Sequence, residues 1–310
     1  MDLGALGGFR FLGNDYPKNA TSVELSTDFD PSAIRIFNEN FAHKALLRDI
    51  RELHASEVPE HDILIGGFPC QSFSVAATNP PRLGYKDIRG QLFFEMVRIL
   101  SEKKPAVFVA ENVKGLLSAN GSRAFPLVLE EFKAAGYFVT WKVLNASHFG
   151  VPQKRERVFL VGFRDQGAFE KFKFPELRGG NVKTLGSVLQ VDVPEEYFFS
   201  ARAVEGMKNS KNSKLMNKGR AQPADQPCNT VGAHLAKVSL NSTDPVFFEH
   251  GKYRMFTPRE VARIQSFPEA FSLEGPKSQL YRGLGNAVAP VVMWHLTRAI
   301  LLALDARINE

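Results

Sequence analysis

Cysteine is scarce in this chain: its 310 residues include only Cys70 and Cys228. Two cysteines cannot build a disulfide framework, so the expected setting is a reduced, cytoplasmic one. The start, Met1-Asp2-Leu3-Gly4, has neither a basic stretch nor an apolar stretch of the kind a secretory leader needs. Uninterrupted apolar runs are also missing. The longest stretch, 288–304, is broken by His295 and Arg298, and reads as a buried amphipathic helix rather than a membrane span. Neither sign of charge dominates, with 39 Lys and Arg against 33 Asp and Glu, a net +6. That excludes a polybasic or acidic tail protein and is compatible with an anionic partner. Repeats and low-complexity tracts are absent. At 44% apolar and 23% charged residues the composition is that of a folded protein, long enough for one large domain or two linked ones.

The first half alternates strand and helix signals. Residues 62–68, 106–110, 137–144 and 158–163 are short apolar runs of strand length. Between them, 90–103 carries Leu92, Phe93, Met96, Val97, Ile99 and Leu100 at helical spacing, and 125–135 forms a second helix stopped by Gly136. Non-alternating strands separated by helices predict an α/β fold with a parallel sheet covered on both faces. Ligands of such sheets sit at the carboxyl ends of the strands, here after Phe68 and Ala110. From about 164 to 253 periodicity fades and Gly, Pro, Asn, Ser and Lys rise, predicting a smaller, loop-rich domain. Regular structure returns at Thr257-Pro258-Arg259-Glu260, a capping box with proline at the first helical position. The resulting division is 1–163, 164–253 and 254–310.

Three segments carry chemistry. In Gly66-Gly67-Phe68-Pro69-Cys70-Gln71-Ser72 a cysteine follows the carboxyl end of a buried strand, on a turn opened by glycine and stiffened by proline. A thiolate there can be a nucleophile. A packed cysteine would look the same in isolation, and Cys228, without a strand-end setting, reads as structural. Glu111, in Glu111-Asn112-Val113, ends the next strand, where partial burial would raise its pKa and suit it to give up a proton near neutrality. In Gln153-Lys154-Arg155-Glu156-Arg157 alternation places Gln153, Arg155 and Arg157 on one face, and two guanidiniums suit an anionic or carbonyl-rich substrate. A solvated basic edge is the plainer reading of that segment. Separately, 206–224 has no acid but holds Lys208, Lys211, Lys214, Lys218 and Arg220. It is either a solvated loop or one that meets phosphates.

Taken in order, GFPCQ-FS, ENV, QKRER, TPRE-ARIQSFP and GNAV resemble the motifs of the DNA (cytosine-5)-methyltransferases, in particular the bacterial restriction–modification branch, over roughly residues 2–300. The resemblance implies a Rossmann-like, S-adenosylmethionine-dependent methyltransferase sheet with a smaller target-recognition domain. It implies sequence-specific methyl transfer to C5 of a cytosine flipped out of duplex DNA. Cys70 would attack C6, Glu111 would hold the base edge and supply a proton, and Arg157, with Arg155 beside it, would contact the base carbonyl or backbone. For the cofactor it implies Gly7 and Gly8 at the first turn, Asp28 on the ribose, Phe29 on adenine, Asp49 on the adenine amino group, Leu92 along the ring, and Asn286 and Val288 at the methionine end. Gln71, Ser72, Thr230 and the basic loop would meet DNA. It assigns no metal, implies a monomer on DNA, and leaves room for a cognate restriction endonuclease.

One segment departs from the pattern. Where the family has an apolar strand and then Phe-x-Gly-x-Gly-Gly, this chain reads Leu3-Gly4-Ala5-Leu6-Gly7-Gly8 without the preceding strand, and Asp15-Tyr16-Pro17 interrupts the helix expected next. The departure supports one alternative, a catalytically impaired DNA-binding relative. Methylation of tRNA cytosine by the same chemistry is another. A cysteine hydrolase is disfavoured because no histidine lies in a motif that would partner Cys70.

Overall fold

A parallel strand pair needs a long crossover between its members, whereas an antiparallel pair needs only a short return. That difference in connection length sorts the strands of this chain. The computed structural model describes residues 1–68, 91–177, 182–209, 220–235 and 244–308. It opens with helix α1 (Asp2–Leu6), the hairpin β1 (Phe9–Phe11) and β2 (Asn14–Tyr16), strand β3 (Thr27–Asp28), helix α2 (Pro31–Asn40) and strand β4 (Leu46–Leu47). Strand β5 (Ile63–Gly67), helix α3 (Gln91–Lys103), strand β6 (Val107–Val113), helix α4 (Ala124–Ala134) and strand β7 (Phe138–Asn145) follow, close to their expected bounds. Then come β8 (Gln153–Lys154), β9 (Glu156–Phe163) and helix α5 (Gln166–Lys171).

The main sheet has the order β5-β6-β9-β7. Strands β5 and β6 are parallel, but β9 runs antiparallel to both β6 and β7. The expectation of a purely parallel sheet is therefore corrected to a mixed one. The stretch joining β7 to β9 is too short for a crossover helix, so β9 can only return beside β7. Strands β3 and β4 form a separate parallel pair. The hairpin β1–β2 stands where Asp15-Tyr16-Pro17 was expected to interrupt a helix.

The middle of the chain supplies helix α6 (Ala201–Asn209) and short strands β10 (Ala221–Gln222), β11 (Cys228–Asn229), β12 (Val246–Glu249) and β13 (Lys252–Arg254). Strands β10, β12 and β13 form one small sheet, while β11 pairs in parallel with β8 of the first half. The capping box appears as read: Thr257 accepts from the Glu260 amide and Glu260 from the Thr257 amide, starting helix α7 (Pro258–Ile264). Glu260 also takes both terminal nitrogens of Arg254, at 2.8 and 2.9 Å, and this ion pair is fully buried. Helices α8 (Lys277–Asn286) and α9 (Pro290–Ile308) end the described chain.

Three apolar cores result. One, under β9, takes Ala168 and Phe172 from α5 and Val291, Met293, Leu296 and Ile300 from α9. A second lies between α3, α4 and the opposite face of the sheet. The third joins Leu185, Cys228, Val231 and Phe247 to Val261, Ile264, Tyr281 and Leu284, so the middle of the chain and α7–α8 share it. Cys228 is buried within that core, and burial pushes its thiol far above the ordinary range, consistent with a structural role. By length and composition the C-terminal helical stretch 277–305 could cross a membrane, but 56% of its apolar window is buried inside the protein.

His295 of α9 packs its ring against Tyr16, Phe149 and Trp294, at centroid distances of 6.1, 5.6 and 4.9 Å. Burial lowers its pKa from the ordinary 6.5 to about 4. The unfolded chain therefore binds this proton more tightly than the folded one. Stability from this group is full above about 6.5 and is lost as pH falls toward about 4. His295→Phe is expected to flatten the acid limb of a stability–pH curve between those values, read by urea unfolding at each pH.

Candidate active site

Strands β5 and β6 end side by side. Gly67 pairs with Glu111 across the ladder, and Gly66 with Ala110. A side chain at Gly67 would start 3.4 Å from Glu111 Oε2, so this oxygen points across the strand end that leads into Cys70. Asn112, 2% exposed, donates from Nδ2 to the Phe68 carbonyl at 2.7 Å and fixes where the cysteine loop leaves the sheet. Cys70, Gln71 and Ser72 lie outside the described residues.

Glu111 is largely buried, its side chain 14% exposed, and forms an ion pair with Arg157, Nε to Oε1 at 3.0 Å. Burial raises the Glu111 pKa, opposed by the nearby guanidiniums of Arg157 and Arg155. Oε1 is engaged by Arg157, and Oε2 is the oxygen facing the strand end. The arrangement can hold a proton on a carboxyl group at a crevice, with its orientation set by arginine. Burial in turn lowers the pKa of Arg157, and Glu111 counteracts that shift.

Arg155 has a different job from Arg157, which corrects the expectation that both aim into the crevice. It falls in the break between β8 and β9, where strict alternation does not hold. Its terminal nitrogens donate to the carbonyls of Val231 at 3.2 Å, Gly285 at 3.0 Å and Ala287 at 2.9 Å. Beside it, Gln153 accepts from the Val231 amide at 2.9 Å and donates to Gln265 Oε1 at 2.8 Å, and Gln265 donates to the Leu284 carbonyl at 2.6 Å. All three side chains are essentially fully buried. Gly285 permits the contact, because a Cβ there would lie 2.3 Å from the backbone of Gly232.

A cavity of about 810 Å³ opens beside the β5–β6 edge, lined among others by Asp28, Phe29, Asp49 and Leu92. Asp28 accepts from the Asp30 amide at 2.8 Å, and burial is the main cause of its raised pKa. Phe29 is 69% exposed, an aromatic face bare to that cavity. Asp49 caps the short turn Ile50–Glu52, and its pairing with Arg51 lowers its pKa to about 2.

The other expected cofactor residues fall elsewhere. Gly7 (φ 67°) caps α1 and Gly8 donates to the Tyr16 carbonyl at 2.7 Å, so both are used in turning the chain into the β1–β2 hairpin, and neither lines the cavity. Asn286 ends α8 on the surface. Val288 is buried and lines a smaller neighbouring cavity with Met1 and Leu3. Among the DNA-contact residues, Thr230 is exposed and donates to the Lys154 carbonyl at 2.9 Å. Arg220 is corrected from surface contact to interior anchor: it is 7% exposed and donates to the Asp244 carbonyl at 2.9 Å. Lys211, Lys214, Lys218 and the Lys208 side chain lie outside the described residues. Asn112 and Gln265 were given no individual role by the sequence. The only signal was an amide side chain inside an otherwise apolar or motif segment.

The family described as C-5 cytosine-specific DNA methylase matches residues 5–302. The chain belongs to that family. It is a DNA (cytosine-5-)-methyltransferase. The Type II methyltransferase M.NgoBI of Neisseria gonorrhoeae is 35% identical over 316 residues, covering 98% of this chain and 93% of that protein. M.NlaX of Neisseria lactamica is 33% identical over 307 residues, covering 97% and 95%. In fold the chain is similar to the Entamoeba histolytica methyltransferase EhMeth, at TM-score 0.75 and 17% identity with 93% of each chain covered. It is likewise similar to the Dnmt2 methyltransferase of S. pombe, at TM-score 0.71 and 20% identity with 92% of each covered.

Arg155→Met would leave three carbonyls, two of them buried, without this donor. This methyltransferase is then expected to lose at least about 3 kcal/mol of stability, measured by urea unfolding, while Lys154→Ala on the exposed side of the same segment changes little.

Proposed function

We propose that this methyltransferase modifies C5 of a flipped-out cytosine in a specific duplex DNA sequence, as the modification partner of a restriction endonuclease in the cytoplasm. It would bind as a monomer. The observation that carries the reading is the buried Glu111 carboxyl, held by Arg157 across from the strand end that leads into Cys70. That is the arrangement needed to protonate a pyrimidine ring while a nucleophile adds to it.

Cys70, as thiolate, would add to C6 of the base, forming the S–C6 bond. The ring electrons move toward N3, where Glu111 delivers its proton. Arg157 keeps Glu111 turned toward the base. Once C5 has gained the methyl group, loss of the C5 proton, expulsion of the Cys70 thiolate and return of the N3 proton to Glu111 would restore the aromatic ring. A cytosine inside the stack cannot be reached this way, so the base has to leave the duplex.

The cavity suits S-adenosylmethionine. Asp28 stands at a strand end with the offset of a ribose-binding acid, Phe29 offers an uncovered ring for adenine, Asp49 a carboxylate for the amino group, and Leu92 an apolar wall. When bound, this group supplies an electrophilic methyl. Gln71, Ser72, Thr230 and the lysines 208, 211, 214 and 218 would meet the DNA, the lysines through phosphates.

Incubation with tritiated S-adenosylmethionine and either plasmid or tRNA tests the proposal: label is expected in duplex DNA. Label confined to RNA would favour tRNA methylation, and failure to bind the cofactor would favour an impaired DNA-binding relative. Cys70→Ser is expected to abolish transfer while DNA affinity, read by gel shift, stays within about twofold. Replacing Lys208, Lys211 and Lys214 by Gln is expected to reduce the log–log salt slope of DNA affinity by about 1 for each phosphate no longer neutralised.

A further inference from the structure

A carboxylate and a guanidinium stand behind the cofactor residues without lining their cavity. Asp30 follows Asp28 and Phe29 and caps helix α2, its Oδ1 accepting from the Ser32 amide at 2.9 Å and from the Ser32 hydroxyl at 2.7 Å. Arg282, from the middle of α8 and 252 residues further along the chain, reaches the same carboxylate. Its Nη2 lies 3.1 Å from Oδ1 and 3.0 Å from Oδ2 of Asp30, and it donates to Ser32 Oγ at 2.7 Å. None of Asp30, Ser32 and Arg282 lines the cavity, whereas Thr27, Asp28 and Phe29 do.

This contact is too exposed to matter chiefly for stability. The side chains of Arg282 and Asp30 are 50% and 24% exposed, and lone ion pairs of that kind contribute little to folding. Its place in the chain accounts for it better. The Asp30 amide donates to Asp28 Oδ1 at 2.8 Å, so fixing Asp30 also fixes the rotation of the Asp28 carboxylate. Phe29 lies between the two and is largely exposed, so its ring is placed by the backbone on either side rather than by packing. Arg282 is itself firmly rooted. In the same part of α8 the Tyr281 hydroxyl donates to the Phe256 carbonyl at 2.6 Å. The Leu284 carbonyl accepts from Gln265 at 2.6 Å, and the Gly285 carbonyl from Arg155 at 3.0 Å. One turn earlier, Arg35 of α2 donates to Gln279 Oε1 at 2.9 Å. The helix that presents Arg282 is thus fixed independently of the Asp28–Phe29 turn.

We propose that Arg282 is a positioning residue for cofactor binding, acting through Asp30 to hold the Asp28–Phe29 turn in the shape that receives ribose and adenine. The inference rests on the reading of Asp28 and Phe29 as cofactor residues. A turn held in its binding shape loses no affinity to ordering, and one that samples other shapes binds more weakly by the fraction of time it is competent. Helix α8 ends at the Gly285 and Ala287 carbonyls held by Arg155, so one helix sets the adenosine end of the cavity against the strand that carries Arg157. Removing Arg282 therefore weakens capture of the cofactor and leaves the groups around Glu111 in place.

The test uses the full chain and S-adenosylmethionine. Calorimetry without DNA reads Kd, tritium transfer to plasmid DNA reads kcat and the KM for cofactor, and the thermal midpoint reads stability. Arg282→Gln is expected to raise Kd and KM about tenfold, with kcat at saturating cofactor within about twofold and the midpoint within about 2 °C. Arg282→Lys is expected to recover affinity to within about threefold of the unaltered chain. Asp30→Asn keeps the helix cap but not the charge, and is expected to weaken binding in the same way, with the double variant no weaker than the weaker single one. Unchanged affinity in Arg282→Gln would overturn the proposal. So would losses that multiply in the double variant, or a fall in kcat or midpoint that matches the loss of affinity. Asp28→Ala separates this inference from the reading beneath it. Weaker binding in Asp28→Ala but not in Arg282→Gln removes the role of Arg282 alone, whereas no change in either removes the cavity as the cofactor site as well.

Discussion

A knot of buried polar side chains holds this enzyme together. Gln153, Arg155 and Gln265 sit where three stretches of chain meet, and each bonds partners distant in sequence, only Arg155 Nε being left without one. Buried amides and guanidiniums stabilise a fold only when their donors and acceptors are met together. The requirement is geometric, so the knot fixes the distance of the Val231 segment and of the α8–α9 turn from β9. Because β9 also carries Arg157, the position of the Glu111 carboxyl depends on the same register. Gly285 belongs to this constraint as well, since any side chain there would push the Gly232 backbone away.

The same sheet keeps a carboxyl largely out of water. Glu111 follows the fully buried run Val107–Ala110 of its strand, and its burial outweighs the two guanidiniums in setting its proton affinity. A single arginine orients it, and Asn112, its immediate neighbour, fixes the exit of the cysteine loop through the Phe68 carbonyl. Consecutive residues of one strand thus hold a carboxyl group and anchor a neighbouring loop, which is possible because they point to opposite faces.

Much of this was legible in the sequence. Local signals were reliable: the capping box at Thr257, the strand ending at Gly67, the amphipathic stripe of α3, and Glu111 at the end of its strand. What failed depended on partners far along the chain. The direction of β9 is set by the short link from β7, not by its own apolar pattern. Arg155 and Arg157 look alike two residues apart, yet one meets backbone carbonyls over 70 residues away and the other a carboxylate. Arg220 reads as one more positive charge of a basic loop, and only the packing around Asp244 turns it inward. The first glycine pair was assigned to a cofactor turn by family resemblance, whereas the structure uses it to turn the chain into the β1–β2 hairpin.

The parallel contact between β11 and β8 is only two residues long, Cys228–Asn229 against Gln153–Lys154. With the Thr230 hydroxyl and the Val231 amide and carbonyl, it is a latch made mostly of main-chain groups. A latch of that kind is nearly blind to side-chain identity upstream of it. Exposed residues between α5 and β11 can then change freely, while buried ones such as Leu185 and Val188 keep the shared core. The fold thereby lets the surface of that segment vary without moving the groups around Glu111.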